Sequence, residues 1–341
     1  MNNKITYKGV DCFKLLAAIG VVAIHSALPI FETLGRLGLP YFAIITSFFF
    51  FKHYLKLNTK RQQFNYLKKF ELRLLWLYML WQVLYLPLAI KNSKQFFIFN
   101  GFSFKSCLKY IFDLLFKLWP SNVNGWFPSW YIIGMIFAVP FSLFAYNYIF
   151  RKNNYLFGSF CIVVEFYFIL CSGLGFWAHL TPIINPDFFP RFFIYIFIGF
   201  LIAKNLDIIK ILNRKRILIL LLILVILFYL ENVTIKSLGG GLSNDETILT
   251  VPTSLVLVIF SIEFMPKISS TTFFRQFSTF LYCFQAWGLA IFDYLNNFMK
   301  LGVTTSEISK FIFVIVLAVI TFLIYTYIRK KTQWKFWQYM V

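Results

Sequence analysis

The stretch "FKLLAAIGVVAIHSALP", Phe13 to Pro29, decides the fold: it reads as a membrane helix, yet it holds Lys14 near one end and His25 near the other. A spanning helix needs ~20 mostly apolar residues, and the run 12–31 supplies them. Lys14 and His25 are eleven residues apart. At 100° per residue that is about three full turns with ~20° left over, so both project from one face, ~16 Å apart along the axis. Asp11, three residues before Lys14, shares much of that face and is near enough for an ion pair. Ionisable groups inside a bilayer are functional candidates by default. The plainer alternative is that Lys14 snorkels to the inner interface while His25 bonds a neighbouring helix.

Working outward, the whole chain has the same character. Of its 341 residues 60% are hydrophobic and only 13% charged, with 46 phenylalanines. Mean hydropathy is +0.72. A soluble domain has about twice that charged fraction. The sequence therefore predicts an all-α, polytopic integral membrane helix bundle of about ten transmembrane helices. The segments are 12–31, 36–57, 72–90, 129–150, 155–174, 190–206, 217–233, 248–266, 277–295 and 310–328. With the N-terminus inside, 23 of the 33 Lys and Arg fall on the inner side, which predicts an N-in, C-in topology.

The net charge of +20 sits in short clusters between apolar runs, such as "LKKFELR" and "ILNRKRI". That is the pattern of inner loops rather than of a nucleic-acid face, so no nucleic-acid partner is expected. The five cysteines have no metal-type spacing, and no metal site is expected. Lys4 and Lys8 before "LLAAIGVVAI" resemble a signal peptide, but the apolar run continues past His25 and the segment is read as retained. Residues 91–128 form a long outer segment, where Phe102, Cys107, Ile111, Leu115 and Leu118 recur at helical spacing, as in an interfacial helix or one packed on the bundle rim. Residues 234–247 read as a flexible Gly-rich loop. No fixed-period repeat and no soluble domain is evident, so 1–341 is expected to be one membrane domain.

Among polar residues inside the spans, Glu165 in "VVEFYF" stands out, because an unpaired charge there is costly. It reads as a catalytic acid, as a partner of His25 in a polar cavity, or as a carboxyl kept protonated by burial. Gln82, Gln285 and Glu263 read as contacts between helices.

Several pieces carry a resemblance. "VDCFKLLAAIGVVAIH" resembles the start of the membrane acyltransferase 3 family, Asp-x-x-Arg, then ten residues, then His, with Asp11, Lys14 and His25 at those positions and Lys in place of Arg. "RLGLPYFAIITSFFFF" resembles that family's next span through Arg36, Pro40, Phe42 and Ser47, with Phe48 where Gly is usual. "PSWYIIGMIFAVP" keeps Trp130 and Tyr131 but has Pro128 for a His. "PRFFIYIFIGFLIAKN" matches at Arg191 and Gly199. "FRQFSTFLYCFQAW" keeps Ser278 and Tyr282, with Gln285 for a His.

The resemblance implies transfer of an acyl group, acetyl or succinyl, from cytoplasmic acyl-CoA to a hydroxyl of an extracytoplasmic glycan or cell-surface polysaccharide, in a bacterial cytoplasmic membrane. In that reading His25 is the general base, a task its near-neutral pKa suits. Lys14 meets the phosphates of coenzyme A, with Arg61 or Arg73 as helpers, and Arg36 and Arg191 are the other basic candidates. Glu165 is a second catalytic candidate. Nothing resembles a nucleophile elbow, so direct transfer without an acyl-enzyme is expected. The rival reading is an exporter of polysaccharide or lipid-linked saccharide.

Overall fold

A computed structural model describes residues 7–116, 125–174, 189–239, 246–298, 307–332, 334, 336–337 and 340–341. Among them there is no strand. The elements are α1 (Lys8–His25), α2 (Phe31–Gly35), α3 (Gly38–Tyr54), α4 (Lys60–Leu84), α5 (Leu86–Asn100), α6 (Phe104–Phe116), α7 (Trp130–Phe144), α8 (Asn154–Cys171), α9 (Phe193–Lys204), α10 (Arg214–Ser237), α11 (Thr250–Glu263), α12 (Thr272–Phe298) and α13 (Glu307–Thr332). Polar caps set several starts. Thr59 and Gln62 form a reciprocal capping box before α4, and the Asn153 and Asn213 side chains accept backbone N–H groups at the starts of α8 and α10.

Each of the ten predicted segments overlaps one of these helices. Five stretches of the described chain are long and apolar enough to cross a membrane, or six if the pair α4–α5, bent by 69°, counts as one span. Three of the other four fall short for identifiable reasons: α1 carries Lys8, Asp11 and Lys14, whereas α9 and α11 have only 12 and 14 residues. The surfaces of α10 and α13 are nonetheless plain in meaning. Leu222, Ile226 and Leu230 on the first, and Ile312, Val316 and Leu323 on the second, are about half exposed. Continuous apolar faces of that kind have no place in water and fit lipid. The chain is a multi-pass helical membrane protein.

Two aromatic-rich cores share α1 between them. One gathers α3, α7 and α9 around Tyr41, Phe48, Phe50 and Phe200. The other gathers α4, α12 and α13 with Ala18, Val21 and Val22 of α1. Helices come unusually close at glycines. A Cβ on Gly35 would collide with the Gly20 carbonyl oxygen, so α2 seats directly on α1. A Cβ on Gly199 would lie 2.6 Å from Ser47 Cβ, which locks α9 to α3.

Two loop expectations change. The helix α10 runs on through 234–237, and the end of the following loop is buried: Glu246 is 1% and Thr247 0% exposed. The segment 91–128 contains the end of α5 and a second helix, α6, which turns a polar stripe of Ser106 and Asp113 inward and leaves Phe104, Ile111 and Phe112 outward. Outward apolar groups fit the interfacial alternative. Leu118 and the Leu115 side chain lie outside what is described.

Candidate functional site

α1 presents its Lys14–His25 stripe to the interior. Between the two, Ala18 and Val21 are 0% and 1% exposed, whereas Leu16 on the other side is 58% exposed. At the N-terminal end Asp11 is buried and accepts a hydrogen bond from the Thr271 hydroxyl at 2.6 Å. The Lys14 ammonium lies 5.4 Å from the centre of the Phe49 ring. Three charges act on it: Asp11 on its own helix, Arg73 of α4 and Arg275 of α12. Arg73 of α4 and Arg275 of α12, both exposed, thus lie within electrostatic reach of Lys14. Arg61 is exposed on the first turn of α4, twelve residues before Arg73 and so ~18 Å along the helix. Of the two, Arg73 is the one within electrostatic reach of Lys14.

His25 is the last residue of α1, and its ring packs edge-on against Phe127 with centroids 4.4 Å apart. The turn that follows is held under tension. Ala27 and Ile30 adopt φ of 54° and 66°, a region that β-branched residues rarely visit and that occurs where a site is tightly constrained. Ser26 in this turn is 2% exposed, and its hydroxyl has no hydrogen-bond partner among the described residues. Arg36 follows the close approach of Gly20 and Gly35 and pairs with Glu32 at 3.4 Å. It therefore sits on the His25 half of α1, away from Lys14.

The segment Phe127–Tyr131 joins these parts. Phe127 meets His25; the Pro128 carbonyl accepts the Tyr282 hydroxyl at 2.5 Å; the Trp130 ring faces the Arg191 guanidinium, 5.0 Å away. The Tyr131 hydroxyl lies 3.3 Å from Thr46 Oγ1, and its ring packs on Tyr282 and Phe192. This segment therefore links pieces from all five motif regions of the sequence. Gln285 is fully buried, but its amide donates within its own helix, to the Tyr282 carbonyl, and neither amide atom of Gln82 has a partner among the described residues. Neither bridges two helices as expected.

Beyond Trp130 lies a buried ionic cluster. Arg191 is 3% exposed and its Nε donates to Glu246; Tyr195 donates to the other Glu246 oxygen at 2.6 Å. Glu165 of α8, 5% exposed, is close enough to feel both Glu246 and Arg191. Among the described residues, Glu246 and Arg191 are the charges near Glu165, and His25 is not one of them. Two carboxylates thus face one guanidinium. Glu246, Tyr195, Arg275 and Ser26 were not singled out in the sequence. Glu246 had one signal, as one of only 13 acidic residues in a chain whose apolar spans hold few of them. His53 is exposed, and His179 lies outside the described residues. Among the described residues no group of three or more His, Cys, Asp and Glu is placed to hold a metal ion.

The comparisons add one finding. A family model described as an acyltransferase domain, acyltransferase 3, matches residues 7–328. No curated protein and no solved structure matched the chain.

Proposed function

Because the chain belongs to the acyltransferase 3 family and is a multi-pass membrane acyltransferase, we propose that it moves an acetyl or succinyl group from acyl-CoA to a hydroxyl of an extracytoplasmic glycan or cell-surface polysaccharide. The observation that supports this reading is the α1 stripe, with Lys14 at one end within electrostatic reach of two further cations, Arg73 and Arg275, and His25 against the Phe127–Tyr282 hub at the other. Coenzyme A is a long anion with phosphates at one end and the thioester at the other. A span of ~16 Å between a cationic cluster and a base suits a molecule of that shape.

In this mechanism Lys14, Arg73 and Arg275 bind donor phosphates by charge. His25 accepts the proton of the acceptor hydroxyl as its oxygen attacks the thioester carbonyl. The carbon–sulfur bond then breaks, the thiolate leaves, and the proton held on His25 passes to it. Ten spans with both termini inside, in a bacterial cytoplasmic membrane, give this arrangement its direction: donor from the cytoplasm, acceptor from outside. The basic loops support it, since Lys8, Lys52, Lys152 and Lys204 lie at one end of the bundle with the N-terminus. Arg191 is already neutralised by Glu246, so it serves the donor only by giving up that partner; its more economical role is to hold the wall behind Trp130.

The broken pair α4–α5 favours the exporter, because discontinuous helices mark many transport sites. Binding separates the two readings. Purified protein should be stabilised against heat by acetyl- or succinyl-CoA, by about 2.7 kcal/mol at 100 times the dissociation constant. Lys14→Ala should abolish the effect. A well-folded sample unmoved by any acyl thioester would favour the exporter.

A further inference from the structure

A cavity opens at the end of the bundle that holds the N-terminus. It is a cavity of about 480 Å³ between α3, α4, α7 and α9, rimmed by Tyr54, Gln63, Asn147, Lys152 and Lys204 over a floor that includes Phe200. It is separate from the α1 stripe. Lys14 meets α3 at Phe49, whereas the cavity is lined by Phe51, and two residues on a helix are ~200° apart, nearly opposite sides.

The chemistry of the lining selects its occupant. Two ammonium groups and neutral hydrogen-bonding side chains surround it, and among the described residues no carboxylate lines it. Such a rim suits an anion bearing several oxygens, while the aromatic floor suits an apolar stem. Its volume falls within the range of ordinary ligand sites. The connection that delivers Lys152 is unusual as well. The chain after α7 opens into a π-turn, Ala145–Ile149, and then Arg151 and Lys152 adopt φ of 47° and 63°. The Lys152 N–H is tied back to the Tyr146 carbonyl at 2.8 Å. π-Turns and left-handed non-glycine residues both concentrate at functional sites. Phe144 and Tyr148, on the same stretch, are 53% and 68% exposed, so an apolar, lipid-facing surface adjoins the cavity.

We propose that this cavity binds the phosphate headgroup of an anionic phospholipid from the leaflet at the N-terminal end, with Lys152 and Lys204 pairing with the phosphate and the aromatic floor holding the start of an acyl chain. The proposal is independent of acyl transfer, since neither lysine belongs to the residues assigned to that reaction.

Native mass spectrometry of the detergent-purified protein, titrated with phosphatidylglycerol or phosphatidylcholine, tests it. One phosphatidylglycerol should be retained in preference to phosphatidylcholine. At about 1 kcal/mol for each lysine near a lipid phosphate, Lys152→Gln with Lys204→Gln should weaken retention roughly thirtyfold. Both lysines are exposed, so this variant should fold, with an unchanged melting temperature as the check. Ala203→Trp, which fills the cavity without altering charge, should have the same effect, and Lys267→Gln should have none. Equal retention by the folded double variant would overturn the proposal. So would displacement of the lipid by millimolar inorganic phosphate or by acyl-CoA, which would assign the cavity to a soluble phosphate or to the donor.

Discussion

At the residue scale, the account rests on Lys14 and His25. A lysine offers a compact charge where an arginine would offer a planar, bidentate fork. Lys14→Arg should therefore tighten donor binding, roughly three- to tenfold, measurable as a larger thermal shift at a fixed acyl-CoA concentration. Arg275→Ala should weaken binding as Arg73→Ala does, while Arg61→Ala should leave it unchanged. A loss at Arg61 equal to that at Arg73 would contradict the geometry seen here. The stripe itself was legible in the sequence, because helical periodicity alone places Lys14 and His25 on one face. Arg275 was not legible, because its approach to Lys14 depends on how α12 packs against α1, and no local pattern carries that information. The same holds for Asp11, whose sequence neighbour Lys14 suggested an ion pair but whose hydrogen bond comes from Thr271, 260 residues away.

At the scale of elements, the buried cluster ties α8, α9 and the chain before α11 together. Removing one member of a buried pair leaves the other charge uncompensated, at a cost of about 3–5 kcal/mol. Arg191→Met should lower the melting temperature sharply, because Glu246 and Glu165 then face each other with no cation. Arg191→Met combined with Glu246→Leu should recover much of that loss. A double variant less stable than the single would show that the cluster does more than neutralise itself. Glu246 could not be placed from sequence, since its loop reads as flexible and its burial comes from Arg191, Tyr195 and Ser172, none of them near it in the chain. The helix positions, by contrast, were plain, because apolar run length is a local property. What run length could not supply is whether a helix as short as α9, or one as charged as α1, crosses the bilayer alone or within the shelter of its neighbours.

At the scale of the whole molecule, the claim is directional: the cationic end of α1 faces the donor side and His25 faces the acceptor side. Single cysteines in a cysteine-free background report this. A cysteine at Lys60 should react with an impermeant reagent only after the membrane is opened, and one at Lys105 should react from outside. The reverse pattern would place the cations on the wrong side for a cytoplasmic donor. The measurement that bears most directly on the central claim is acyl transfer by the reconstituted protein, wild type against His25→Ala, with donor binding followed on the same samples. Loss of the general base should slow transfer by about 10²–10⁴-fold while the acyl-CoA thermal shift stays at its wild-type size. A His25→Ala protein that transfers at the wild-type rate would contradict the account.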